Sequence, residues 1–422
     1  MNTPVSQAAV ATASGRAVTP LTRYQKWLFF FLSVATFFEG YDLFALAQIL
    51  PNLRADMGLS PAYSGVLISV TSVGNVLAYF VVSRADRLGR RRVLTITIAG
   101  YTLFSFLTAL APDVWTFAVC QLVARMFLLG EYAVAMVYAA EEYPAERRGM
   151  VIGVIQACSS LGAITCAAVV PALLQTPLGW RSVYLVGTVP LVIIAFARRS
   201  LRETERFARE AAAGRTAQAS FARIFRTPYR GRVLQLALIW SITFFCTQNA
   251  VAFWKEFALA ERGMTDAQVG TALAFASIVS MPFLFFVGKL LDVIGRRRGA
   301  TVVFSLTALG VFLGYTLESP TALTGALVVG IFGTSAVLPV LNTYTAELFP
   351  TELRSEAWAW ANNLIARTAY LASPLAVGVV AESFGFGPTL AATALFPIVA
   401  LVLILALLPE TVGRELEETA AL

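Results

Sequence analysis

Twelve apolar runs, each about as long as a bilayer-crossing helix, leave this chain few folds to choose from. They fall at residues 27-50, 63-83, 93-112, 114-139, 149-174, 180-198, 233-254, 268-288, 300-317, 321-345, 356-380 and 387-408. A hydrocarbon core roughly 30 Å thick takes about 20 helical residues, and lipid offers no partner to a bare backbone N–H or C=O. The expected fold class is therefore an all-α membrane protein with twelve transmembrane helices. Composition agrees, because 58% hydrophobic and 14% charged residues over 422 positions is too apolar for a soluble globule. A formal charge of +7 would invite a nucleic-acid reading, but the basic residues sit in short segments between apolar runs, so no nucleic-acid partner is expected.

Lys and Arg resist translocation and mark cytoplasmic loops. They gather in "SRADRLGRRR" after span 2, "ERRG" after span 4, the stretch 198–232 after span 6, and "GRRR" after span 8. The turns around Asp113, Glu318 and Glu382 carry none. Both termini are thus expected in the cytoplasm, in a multi-pass protein of the cell inner (plasma) membrane whose surroundings are the lipid bilayer. Residues 1-22, rich in Ala, Thr and Ser without an apolar core, read as a cytoplasmic tail and not as a cleaved signal.

The sequence also repeats itself. "VSRADRLGRRR" (Val82 to Arg92) and "GKLLDVIGRRR" (Gly288 to Arg298) place Asp292 and Gly295 206 residues after Asp86 and Gly89. "EEYPAERRG" and "ELFPTELRS" keep the same 206-residue register, with Glu347, Pro350 and Arg354 following Glu141, Pro144 and Arg148. Two distant motifs in one register imply a duplicated unit, hence two six-helix bundles related by a pseudo-two-fold axis along the membrane normal. The expected organisation is a tail at 1-22, an N-terminal bundle at 23-199, a basic cytoplasmic loop at 200-231, a C-terminal bundle at 232-409 and a tail at 410-422.

Against this apolar background, "FFEGYDLF" (residues 37 to 44) puts two acids, Glu39 and Asp42, inside span 1. An intramembrane carboxylate is costly and points to function. At i and i+3 they share one helix face, beside Gly40. Span 4 adds Arg125 and Glu131. The chain has no histidine, so proton chemistry near neutral pH falls to carboxylates and no metal site or cofactor is expected. The four cysteines all lie in apolar runs and read as small packing residues.

These residues resemble the major facilitator superfamily of secondary transporters over essentially the whole chain. Its loop signature, G-x-x-x-D-R/K-x-G-R-R/K, is complete at Gly288, Asp292, Gly295, Arg296 and Arg297. Asp86, Arg87, Gly89, Arg90 and Arg91 match in the first half, with Val82 where the first glycine would stand. "RETERF" (Arg202 to Phe207) and "LPETVGRELEE" (Leu408 to Glu418) are similar to the paired tail motifs of the sugar-porter and metabolite-proton symporter branch. "EGYD" resembles the acid-Gly-aromatic-Asp signature of aromatic-acid proton symporters, and "GEYAVA" (Gly130 to Ala135) the metabolite-symporter pattern. Span 7, "FFCTQNAVAFW", lacks the sugar-porter Gln-Gln plus Asn pattern, and span 5 lacks the Gly-Pro-x-x-Gly-Gly element of drug antiporters.

The resemblance implies a conformational latch of Asp86, Arg87, Gly89, Arg90, Arg91, Glu141 and Arg148 in one half and Gly288, Asp292, Gly295, Arg296, Arg297, Glu347 and Arg354 in the other. It implies proton coupling through Glu39, Asp42, Arg125 and Glu131. Adding 206 to those four positions lands on Phe245, Gln248, Ile331 and Val337, so charge is concentrated in the first half. The second half offers Gln248, Asn249, Asn342, Tyr344, Asn362, Asn363 and Arg367 as candidate solute contacts, with Tyr41 from span 1. The expected function is proton-coupled symport of a small organic solute, an organic acid leading, by alternating access in a monomer. A proton-independent facilitator or exporter and a transporter-like solute receptor stand as alternatives. An enzyme is not expected, because no nucleophile, base and orienting group stand at recognisable spacing.

Overall fold

A computed structural model describes residues 21–197, 201–203 and 223–412. Helix α1 (Arg23–Met57) starts on a capping box in which the Thr22 hydroxyl accepts from the Gln25 backbone and the Gln25 side chain accepts from the Thr22 N–H. It ends on Gly58 in the left-handed conformation. Its 35 residues outrun the 24-residue apolar run, because the polar ends continue the helix beyond the hydrocarbon. There follow α2 (Pro61–Leu88), α3 (Arg90–Ala109), α4 (Val114–Glu142), α5 (Ala145–Leu174) and α6 (Arg181–Ala197). The second half comprises α7 (Arg230–Ala252) with a short continuation Trp254–Ala260, α8 (Asp266–Ile294), α9 (Arg296–Thr316), α10 (Pro320–Glu347), α11 (Glu356–Phe384) and α12 (Phe386–Leu407). Eleven of these are long and apolar enough to cross a membrane, and α6 shows 17 described residues. There is no strand among the described residues.

Within the first half α1 packs on α5, α2 on α4, and α3 on α4 and α6. Within the second, α7 packs on α11, α8 on α10, and α9 on α10 and α12. The α1–α5 crossing is the closest: a Cβ on Gly40 would stand 1.9 Å from the Ser159 carbonyl oxygen, and one on Gly162 1.8 Å from that of Phe37. Only glycine permits backbones to meet at this distance.

The two faces of the molecule are built differently. Near the basic loops each half keeps its own core, with Leu28, Leu32, Leu94, Tyr138 and Ile155 in the first. Val233, Trp240, Phe304, Val340 and Ile404 belong to the core of the second. Toward the opposite face one continuous core joins both halves, packing Leu50, Leu53 and Tyr184 with Phe253, Trp254, Leu273 and Phe386. There α2 meets α11, with Gly65 against the Pro374 carbonyl, and α5 meets α8, with Gly270 against Ala167 and Pro171. The halves therefore touch away from the basic loops.

Candidate functional site

Glu39, Asp42, Arg125 and Glu131 are all buried, and they come together inside the first half. The tight α1–α5 crossing sets Glu39 against Ser159 of α5, with which it hydrogen-bonds. Glu131, Arg125 and Asp42 are its electrostatic neighbours, and Arg125 is the charge facing Asp42. Glu39 Oε2, Asp42 Oδ2 and Arg125 Nε have no hydrogen-bond partner among the described residues. A carboxylate with an open lone pair in a dry site has capacity to take a proton, whereas one saturated by donors does not.

Arg125 is also the member of this group that reaches a cavity. A space of about 270 Å³ between the halves is lined by Leu43, Phe44, Ala47, Ser72 and Arg125 from the first half and by Thr247, Gln248, Val251 and Tyr370 from the second. Thr247, Gln248 and Tyr370 also line an adjoining cavity of about 440 Å³ with Trp240, Phe244, Asn342, Trp358, Asn362 and Arg367. The two spaces share a wall, with one arginine contributed by each half.

Arg367 makes no ion pair among the described residues. Its guanidinium carbon lies 4.6 Å from the Tyr370 ring centre and 5.3 Å from that of Phe244, so it sits within cation–π reach of both rings. Asn342 presents its carbonyl to Trp358 Nε1 at 3.1 Å, which leaves its amide group for other partners. Asn362 and Arg367 reach the same cavity because Ala359–Ile365 is a π-helical turn. In a regular α-helix five residues of separation would point them about 140° apart, and the wider turn brings them round.

Other candidates are placed elsewhere. Tyr41 donates its hydroxyl to the Val183 carbonyl at 3.2 Å and packs against Gly187, inside the first half. Asn249 is buried and donates to the Phe245 carbonyl one turn back, at 2.8 Å. Tyr344 is buried in the second-half core, and Asn363 lines neither cavity. Thr247, Trp240, Phe244, Trp358, Tyr370 and Ser72 are cavity residues that the sequence reading passed over. A polar or aromatic stripe on α7 repeating at 240, 244, 247 and 248 was the available signal.

The latch residues form matching networks on the basic face. Gly89 and Gly295 both sit at φ 92°, a backbone region that favours glycine, at the α2–α3 and α8–α9 turns. Arg90 pairs with Glu141 at 3.1 Å, and Arg296 with Glu347 at 2.7 Å and Asp292 at 2.9 Å. The tail motifs cap the next helices: Glu203 accepts from Arg90 N at 3.0 Å and Arg91 N at 3.2 Å, and Glu410 from Arg296 N at 2.8 Å and Arg297 N at 2.9 Å. Burial pushes the Glu410 carboxyl up, but the backbone N–H groups of Arg297, Arg296, Val412 and Thr411 together outweigh it and hold the group below its ordinary value. The side chains of Asp86, Arg87 and Arg148 lie outside the described residues. Arg354 contacts the Phe349 carbonyl at 3.5 Å, and Gly288 has open space where a Cβ would go, so it is not a close-approach glycine. Each of these ion pairs lies within one half.

Comparison with known proteins agrees with this architecture. The chain is 29% identical over 393 residues to a putative metabolite transport protein of Haemophilus influenzae, covering 90% of this chain and 95% of the relative. It is 28% identical over 393 residues to a probable 4-methylmuconolactone transporter of Cupriavidus pinatubonensis, covering 90% and 89%. Among solved structures, a bacterial homologue of the human lysosomal transporter Spinster in an inward-facing, occupied conformation superposes with a TM-score of 0.78 at 14% identity, over 92% of this chain and 97% of that one. The family model of the Major Facilitator Superfamily matches residues 32–258 and 242–421, so the chain belongs to that superfamily and is a multi-pass membrane transporter of small molecules, not an enzyme.

Proposed function

We propose that the protein is a proton-coupled symporter of a small organic acid, working by alternating access. The observation that carries this reading is the double position of Arg125, which faces the buried acids on one side and lines the cavity between the halves on the other. With Asp42 ionised, Arg125 is held as its counter-ion. A proton on Asp42 or Glu39 removes that hold and frees the guanidinium to serve an anion in the cavity. The solute's carboxylate is then shared between Arg125 and Arg367, with Gln248, Asn342 and Asn362 supplying hydrogen bonds around it. One relative is named as a probable 4-methylmuconolactone transporter, which fits a small organic solute.

By the positive-inside asymmetry the basic face is cytoplasmic, which puts both termini there and makes the described conformation open inward, in the inner membrane of a bacterium and as a monomer. Reorientation follows when the buried charges are balanced, either empty or carrying proton and solute together.

Asp42→Asn tests this in proteoliposomes with an imposed proton gradient and a panel of small aromatic and unsaturated carboxylates. Uphill uptake should fall more than about tenfold while exchange of internal for external solute continues, because a fixed neutral side chain no longer ties solute movement to a proton. Undiminished uphill uptake by the folded variant would remove Asp42 from coupling.

A further inference from the structure

On the face opposite the basic loops, two adjacent residues of the short helix Trp254–Ala260 bear opposite charges and are both only 1% exposed: Lys255 and Glu256. Their partners differ in kind. Lys255 Nζ pairs with Asp266 Oδ1 at 2.5 Å, within the second half. Glu256 finds its partners across the boundary: Arg54 of α1 donates through Nε at 3.3 Å and Nη2 at 2.8 Å, and Ser64 of α2 donates its hydroxyl at 2.7 Å. No described group of the second half hydrogen-bonds the Glu256 carboxylate.

We propose that Glu256, Arg54 and Ser64 form the charge lock that holds this face shut, and that its rupture is what the opening of this face requires. A carboxylate with every hydrogen bond on the other half is stabilised only while the halves are together. When they part, Glu256 and Arg54 pass into water and lose little, so the two states remain close in free energy. Lys255–Asp266 travels with the second half and survives in both states. The ion pairs of the basic face also lie within single halves, so this bidentate pair is the described charged tie between the two bundles.

The expected behaviour is reciprocal. Glu256→Gln weakens the closed state alone, because it leaves Arg54 beside a neutral amide in a mostly dry site. Loss of one charge-assisted contact shifts the two-state balance by about tenfold toward opening on this face. Hydrogen–deuterium exchange of the full chain in lipid nanodiscs reads this directly. In Glu256→Gln, amides of residues 60–66 and 254–260 should exchange about tenfold faster, while those of 89–94 and 295–300 on the basic face slow down. Ser64→Ala, which removes one neutral donor, should show the same pattern more weakly, and Arg54→Glu with Glu256→Arg should restore the parent pattern.

The proposal rests on the alternating-access reading, but the exchange measurement needs neither solute nor proton gradient, so the two can fail separately. Unchanged exchange in Glu256→Gln and Ser64→Ala overturns the lock. Faster exchange on both faces also overturns it, by showing loss of packing and not a transfer of opening from one face to the other. Failure of Asp42→Asn to uncouple uptake leaves the lock result untouched.

Discussion

The two halves of this transporter are copies on the outside and different proteins on the inside. On the basic face the copies agree in detail: Gly89 and Gly295 share one φ of 92°, and Arg90–Glu141 and Arg296–Glu347 are the same pair 206 residues apart. At the centre, Asp42 and Arg125 of the first half correspond to Gln248 and Ile331 of the second. Turn geometry and helix capping tolerate one solution, so both copies keep it. The interior of a bundle tolerates any set of groups that satisfies itself, so the copies are free to part. The first half holds charge that must be neutralised by pairing or protonation, and the second lines its cavity with amides and one arginine set beside aromatic rings.

That contrast breaks most sharply at the two arginines. Arg125→Gln takes from Glu39 and Asp42 the buried positive charge that faces them, and leaving buried charge uncompensated costs up to about 3–5 kcal/mol. We expect a lowered melting temperature in detergent and no uphill uptake, with the stability, not the transport, recovered when Asp42→Asn is added. If the double variant is no more stable than Arg125→Gln alone, the acids and Arg125 are not one electrostatic unit.

Arg367→Gln is expected to do less and to do it elsewhere. No carboxylate among the described residues pairs with Arg367, so stability should hold while solute affinity drops about ten- to a hundredfold, the worth of a charge-assisted contact to an anion. Arg367→Lys should recover part of that, since a lysine keeps the charge but not the planar, multi-donor guanidinium beside Phe244 and Tyr370. Flux with saturating solute would still follow the proton gradient. An uncoupled Arg367→Gln would mean that proton and solute functions are not divided between the halves.

Much of this was legible in the sequence because the constraints were one-dimensional. Span length, loop charge and the 206-residue register need no packing information, and intramembrane Glu39, Asp42, Arg125 and Arg367 stand out against an apolar background. Choosing among the amides and tyrosines was harder for a physical reason. Asn249 satisfies itself on its own helix by bonding Phe245, and Tyr41 spends its hydroxyl on Val183, so a polar residue in a span is not by itself a cavity residue. The π-turn that aligns Asn362 with Arg367 leaves no mark in hydrophobic periodicity. Arg54 and Glu256, 202 residues apart at helix ends, look like ordinary interfacial charges until the fold brings them together.

The smallest effect tests the part of the comparison where the halves agree. Glu410 collects four backbone N–H groups, two at the start of α9 and two from the residues that follow it, and Glu203 takes the matching pair at the start of α3. Because the folded-state value of Glu410 lies below its ordinary 4.5, its contribution is present above that pH and is lost as pH falls through the folded value. Glu410→Gln should cost about 1 kcal/mol at neutral pH, the scale of a helix cap, and lower the melting temperature by roughly 1–2 °C. Once pH has fallen below the folded value the parent carboxyl is itself neutral, so the gap between parent and variant should close in acid. Glu203→Gln should also lower stability at neutral pH, because it gives up the acceptor for Arg90 N and Arg91 N. A variant gap that persists in acid would assign the loss to packing, and a response in Glu410 without one in Glu203 would show that the copies have diverged at their rims as they have at their centre.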